Sequence, residues 1–274
     1  MTEVVYDLLA SQPGVREFYH HDFQPQVDAN LARIPGRFNP ETESRGSLAI
    51  VGFGPTLQDT WLNVVRCDTI WTVSGAHDFL LARNVVPHYH TDIEWRDHKV
   101  KFIHQLHPEV HYVIASTIAP NYLERVTTEQ VSIFHIEQTG GNAVLPKDAL
   151  TVQPDWDVVM SVLRLAAAMG FKEIHLFGID YCGRIRDGAI AAGVHHGIPK
   201  ALIQMGLEGK VYLTSTDMVE GCWHLPKVMG QYPDIEYFVH GDGMFSHYLR
   251  ARLGGQYANQ RIIPRVEQTP ACIE

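Results

Sequence analysis

Long hydrophobic runs are missing from this sequence. No stretch approaches the roughly eighteen consecutive apolar residues of a membrane span, so none is expected. Cysteine is scarce too: Cys67, Cys182, Cys222 and Cys272 form no CxxC pair. That excludes a zinc ribbon and a disulfide scaffold and fits a reducing cytoplasm. The opening MTEVVYDLLASQPG has no basic segment ahead of an apolar one, so a secretory leader is not expected and the chain is placed in the cytoplasm. Positive charge is also in short supply. Lys and Arg number 22 against 31 Asp and Glu, a net charge of −9 with His neutral, and no basic run occurs. Gripping a phosphate backbone needs clustered Lys and Arg, so general nucleic-acid binding is disfavoured. Internal repeats, low-complexity tracts and long linkers are lacking as well.

What remains is a globular composition. Of the 274 residues, 45% are hydrophobic and 19% charged, enough apolar mass for a sizeable core. The 16 histidines raise the expectation of proton transfer or metal chemistry without locating it. Residues 1–45 read as an irregular N-terminal arm packed on the main domain, because they are rich in turn formers and weakly periodic. From Ser47 the character changes. Short apolar runs (SLAIVGFG, DTIWTVSG, PHYHTDI, VHYVIAST, VSIFHI, FKEIHLFGIDYC) alternate with helical segments such as AHDFLLARN, PNYLERVTTEQ and DVVMSVLRLAAAMG. KVYLTST and IEYFVHG are further strand candidates. Strands alternating with helices predict an α/β fold, a Rossmann-like and mostly parallel sheet with helices on both faces. The expected organisation is the arm at 1–45, a nucleotide-binding domain at 46–245, and a C-terminal helix and tail at 246–274.

Ligands of open α/β sheets sit beyond the carboxyl ends of the strands, so the strand ends carry the functional reading. The first is Gly52-Phe53-Gly54-Pro55-Thr56. A glycine turn lets backbone N–H groups approach a phosphate, with the helix behind adding partial positive charge. It is neither the dinucleotide GxGxxG nor a Walker loop, and a ligand-free tight turn is an equal reading. Ser74 and Gly75 end the next strand on the same rim. His88, His90 and Asp92 share one strand face and suit a first-row metal, although an ordinary solvated face is the commoner use of such a pattern. Asp92 ends its strand on the rim and is a candidate catalytic group.

At Gly178-Ile179-Asp180-Tyr181-Cys182, Asp180 and Tyr181 suit nucleoside contact, with a structural cap as the alternative. His195 and His196 lie between glycines in a loop and suit a general base, or else a solvent-exposed pair. His240-Gly241-Asp242-Gly243 is a similar, weaker candidate. Gly141 and Asn142, within QTGGN, suggest a second anion nest, and Trp156 could stack on a base.

Taken in order, IVGFGPTL, AHDFLLARNVVPHYHTD and AAAMGFKEIHLFGIDYC resemble the family of archaeal 6-hydroxymethylpterin diphosphokinases and bacterial flagellar motility accessory factors. Gly52, Gly54, Pro55, Thr56 and Leu57 match its first element, and Leu80, Val86, Pro87 and Asp92 its second. Gly170, Ile174, Leu176, Gly178 and Asp180 match the third. KEIHLFGIDYC is also similar to bacterial lipooligosaccharide sialyltransferases, whose histidine base would fall on His195 or His196. The departures are Phe53, where those enzymes carry asparagine, and QPDWD in place of a small-residue loop before the alanine-rich helix. The resemblance spans about Leu48 to His196. It implies a nucleotide donor, either a nucleotide sugar, with positive groups or Mg²⁺ to offset the leaving phosphate's charge, or ATP with Mg²⁺, whose metal Asp92 and His88 or His90 would organise. The expected activity is transfer of a sugar to an acceptor hydroxyl. The alternatives are ATP-dependent pyrophosphoryl transfer and a nucleotide-binding module without catalysis. The acceptor is left open, and a homo-oligomer is compatible with the sequence.

Overall fold

The computed structural model describes residues 21–40, 45–97, 103, 106–137, 144, 150–153, 157–184, 189–193, 202–252 and 260–263. In chain order the described elements begin with α1 (Gln24–Arg33), β1 (Arg45–Val51), α2 (Leu57–Val64), β2 (Thr69–Val73), α3 (Ala76–Leu81) and β3 (Tyr89–Thr91). They continue with β4 (His111–Ala115), α4 (Pro120–Leu123), β5 (Val131–Ile136), β6 (Thr151–Val152), α5 (Val158–Ala168) and β7 (Phe171–Phe177). The last are β8 (Ile203–Leu207), β9 (Lys210–Thr214), α6 (Thr216–Gly230), β10 (Glu236–His240), α7 (Met244–Arg252) and β11 (Gln260–Ile263). Nine strands form one sheet in the order β11-β10-β7-β1-β2-β3-β4-β5-β6. Every neighbouring pair runs parallel, as the alternating elements predicted.

A parallel sheet covered on both faces needs apolar residues at successive strand positions, and β1 supplies them. Leu48 and Ile50 point into one core with Trp71, Val73, Val113 and Phe134, roofed by Val162, Leu165 and Ala166 of α5. Ala49 and Val51 point to the other face, against Leu57 and Val64 of α2 and Leu80 of α3. Farther along that face, Tyr112, Ile114 and Ile133 pack with Tyr122 and Leu123 of α4. Each fully buried large side chain removes enough apolar surface to be worth roughly 1.5–3 kcal/mol. Helix α5 starts where Asp157 accepts the Met160 N–H at 3.1 Å, and it gives way to β7 through Gly170 at φ +85°.

Four sequence expectations change. Residues 24–33 of the arm are helical rather than irregular. Val27 and Asn30 are buried there, and the Asn30 amide donates to the Ser116 and Ile118 carbonyls. The helix expected across PNYLERVTTEQ stops at Leu123, because Val126, Thr127 and Thr128 form a β-branched run and Thr127 is already extended. KVYLTST leaves the main sheet and pairs antiparallel with β8 through Glu208 and Gly209, both at positive φ. The segment expected as tail supplies β11, which extends the sheet beside β10.

Candidate functional site

Because all nine strands run the same way, their carboxyl ends open on one edge. From β1 the chain steps outward to β6 and then returns to lay β7 on the other side of β1, so the strand order reverses between these two. The crevice outside such a reversal is where open α/β sheets receive ligands. Here it is framed by Gly52–Thr56 after β1 and Gly178–Cys182 after β7.

The two turns cross in direct backbone contact. Gly52 N–H donates to the Phe177 carbonyl and Gly54 N–H to the Gly178 carbonyl, each at 2.8 Å. A Cβ on Gly52 would stand 2.8 Å from the Gly178 oxygen, and one on Gly54 would stand 2.6 Å from the same atom. The glycines are therefore required by the crossing itself. Asp180 completes it: its carboxylate accepts Thr56 N–H at 2.7 Å and the Thr56 hydroxyl at 2.6 Å. Asp180 is 3% exposed, and burial lifts its pKa from 3.8 to about 6 against the opposing pull of the Thr56 bonds. The loop after β10 closes over the pair, with Gly241 against the Thr56 hydroxyl and Gly243 against Asp180.

Within the Gly52–Thr56 turn, the Gly52, Gly54 and Thr56 donors are thus directed inward. Leu57 and Gln58 N–H bond to Gly54 and Pro55 within the turn, and both Thr56 donors face Asp180. Asp180 thus makes a structural contact with Thr56 across the two turns. Beside it, the Phe53 ring packs against Gly75 and Gly193, and the Phe53 carbonyl accepts Ala192 N–H at 2.9 Å. Ser74 (φ +50°) and Tyr181 (φ +53°) hold left-handed backbones at the ends of β2 and β7. Such conformations cost of order 1–3 kcal/mol each and cluster at functional sites. The Tyr181 hydroxyl donates to Asp157, tying the β7 turn to the start of α5.

His88, His90 and Asp92 do not form the expected metal set. Alternate residues do share a face, but four residues of strand cover about 13 Å, too far for one ion. His88 is exposed at the entry to β3, where Nδ1 accepts the Ile70 N–H at 3.0 Å. His90 is buried beside Thr72 (3.0 Å to Oγ1) and the His77 ring, whose centroid is 4.9 Å away. Asp92 directly follows β3, and its Oδ1 accepts the N–H groups of Ile93 and Glu94. Among the described residues no three His, Cys, Asp or Glu side chains gather as a metal cage. His195, His196, Gly141, Asn142 and Trp156 lie outside the described residues.

Two polar groupings were not assembled from the sequence, although His240 of the second was named there as a weaker candidate. His77 Nδ1 lies 2.8 Å from Asp78 and its Nε2 3.2 Å from the Tyr112 hydroxyl, an arrangement built across α3 and β4. On β7 and β10, His175 lies 2.9 Å from both Glu173 and His240. Glu173 and His175 alternate within FKEIHLF, an unusual polar pair in an apolar strand and the one local signal available.

A wholly parallel open sheet with its order reversed between β1 and β7 defines a Rossmann-like α/β protein. The chain belongs to the 6-hydroxymethylpterin diphosphokinase MptE-like family, whose model matches residues 26–186. Among solved structures it is similar to the MAf glycosyltransferase from Magnetospirillum magneticum AMB-1. The TM-score is 0.66 and the identity 19%, over 90% of this chain and 38% of that protein. The chain therefore spans well under half the length of this structural relative. A mammalian sialyltransferase in complex with Gal-beta-1-3GalNAc-ortho-nitrophenol lies farther off, at a TM-score of 0.40 and 13% identity over 87% of this chain and 86% of its own. Comparison with curated protein sequences finds no match.

Proposed function

We propose that this chain transfers a glycosyl group from a nucleotide-sugar donor to an acceptor hydroxyl, with the donor held across the carboxyl ends of β1, β2 and β7. The observation that carries the reading is the strand-order reversal between β1 and β7, flanked by strained Ser74 and Tyr181. The fold shared with the MAf glycosyltransferase over 90% of the chain supports it. In this reading the Asp180–Thr56 pair is a rigid floor rather than a phosphate ligand. Ser74, Gly75, Phe53 and Tyr181 are the rim positions nearest the donor. Attack by a hydroxyl on a glycosyl carbon is helped by a base, and His195 or His196 is proposed to accept that proton. Asp92, farther along the rim, is proposed to face the acceptor side, and Gly141 and Asn142 remain candidates for a donor-phosphate contact.

The family model favours a second reading, ATP-dependent pyrophosphoryl transfer to a pterin-like alcohol. In-line phosphoryl transfer relies on positioning and metal charge, so it would not depend on a histidine base. A thermal-shift panel separates the two. It would contain UDP-, GDP-, CMP- and ADP-sugars, the free nucleotides and ATP, each with and without Mg²⁺. A ligand at one hundred times its Kd adds about 2.7 kcal/mol of apparent stability. A nucleotide sugar that stabilises more than its free nucleotide is the expected result. Stabilisation by ATP with Mg²⁺ alone would replace glycosyl transfer by the second reading, and a silent panel would leave neither.

A further inference from the structure

Glu173, His175 and His240 form a hydrogen-bonded line along one face of β7 and β10 that ends at the rim. Glu173 Oε1 lies 2.9 Å from His175 Nε2, and His175 Nδ1 lies 2.9 Å from His240 Nε2. The rings are fixed by stacking. His175 lies over Phe238 at 4.5 Å and 9°, and His240 over Phe177 at 3.9 Å and 17°. His240 ends β10 and directly precedes Gly241, where a Cβ would stand 2.5 Å from the Thr56 hydroxyl oxygen.

Proton positions along the line follow from one end. An ionised carboxylate only accepts, so a neutral His175 places its proton on Nε2, toward Glu173. His175 Nδ1 is then a lone pair and must receive the His240 Nε2 proton. His240 Nδ1 is left without a proton, and no hydrogen bond to it occurs among the described residues. Burial, with His175 adding to it, pushes the His240 pKa down to about 3, so the ring stays neutral at physiological pH. The nearest charged group on the same loop, Asp242, is tied to Arg250 and Lys210. Asp180, one candidate for contact with ribose hydroxyls, is 3% exposed and accepts both Thr56 donors.

We propose that His240 Nδ1 accepts a hydrogen bond from a ribose hydroxyl of the bound nucleotide, with His175 and Glu173 acting as positioning residues that fix its tautomer. The inference rests on the nucleotide-donor reading, and its test separates the two. Long-range ¹H–¹⁵N spectra of histidine-labelled protein at pH 7.5 report the tautomer without any ligand. One neutral form protonated on Nε2 is expected, and His175→Phe, which keeps the stacking, should release it into a mixture. A His240 protonated on Nδ1, or one indifferent to His175→Phe, overturns the proposal.

Binding of CMP, UDP, GDP and ADP and their 2′-deoxy and 3′-deoxy forms supplies the second arm. Loss of one neutral hydrogen bond should weaken the best nucleotide about three- to tenfold on removal of the recognised hydroxyl. His240→Phe should abolish that difference. Equal deoxy discrimination in wild type and His240→Phe, or none in wild type, overturns the hydroxyl contact while leaving nucleotide binding intact. If none of these nucleotides binds, the donor reading falls and the hydroxyl contact with it. The spectra then still decide the tautomer separately.

Discussion

Replacing Asp180 by asparagine tests the description of the β1–β7 crossing. The carboxyl is 3% exposed, and its pKa sits near 6 instead of 3.8, a displacement that already includes the two Thr56 bonds. At about 1.4 kcal/mol per unit, the charged form carries a penalty of roughly 3 kcal/mol in the folded state. Stability linked to this group is fully present below pH 3.8 and is lost as the pH rises through about 6, because the folded state holds its proton longer. An asparagine of the same shape accepts Thr56 N–H through Oδ1, sets Nδ2 against the Thr56 hydroxyl, and never ionises. Asp180→Asn should therefore exceed wild type by about 3 kcal/mol at pH 7.5 and by only about 1 kcal/mol at pH 4.5. Urea unfolding at both pH values, extrapolated to water, gives the two differences. Asp180→Ala leaves the Thr56 amide without its acceptor and should fall about 1–3 kcal/mol below the asparagine variant. A pH-independent difference, or an asparagine variant no more stable than wild type at pH 7.5, would refute the assignment of burial as the dominant effect.

Gly178→Ala should cost more than about 2 kcal/mol, because its Cβ would lie 2.5 Å from the Gly52 oxygen at φ +60°, whereas Gly206→Ala, with open space around it, should change unfolding midpoints little. Comparable midpoints for the two variants would contradict the backbone crossing. Burial, helped by Arg37, lowers the His135 pKa to about 4, so its contribution to stability is present above the ordinary imidazole value of 6.5 and fades as pH falls toward 4. His135→Gln should therefore compare more favourably with wild type at pH 5 than at pH 7.5 in denaturant titrations, and an unchanged gap would reject the buried neutral imidazole. Ser74→Gly should relieve the left-handed strain at φ +50° and leave the folded state within about 1 kcal/mol of wild type, while Ser74→Val should destabilise it by more. Equal thermal midpoints for glycine and valine would remove strain as a marker of this rim.

The strand–turn–helix units were legible because each is local. SLAIVGFG announces β1 and its turn, and the alanine-rich run after Asp157 announces α5. Relations between distant segments were not. That Thr56 spends both donors on Asp180 depends on β7 returning beside β1, which no window of sequence contains. The His88–His90–Asp92 pattern misled because a shared face says nothing about the distance along a strand. Helix α1 was hidden because it buries only Val27 and Asn30, and Asn30 contributes through hydrogen bonds rather than apolar periodicity. The Glu173–His175 alternation and His240 were each visible, but their pairing joins β7 to β10 over 65 residues, beyond any local window.

The central pairing of the sheet also has a kinetic side. Thr56 and Asp180 are 124 residues apart, and β1 meets β7 only after β2 to β6 have been made. Closing so long a loop costs entropy before any contact offsets it, and long-range parallel pairing is slow to form. During synthesis β1 must therefore wait with one flank open until Phe171–Phe177 emerges from the ribosome. Chains interrupted before that point keep an unpaired β1 edge, a feature that favours self-association.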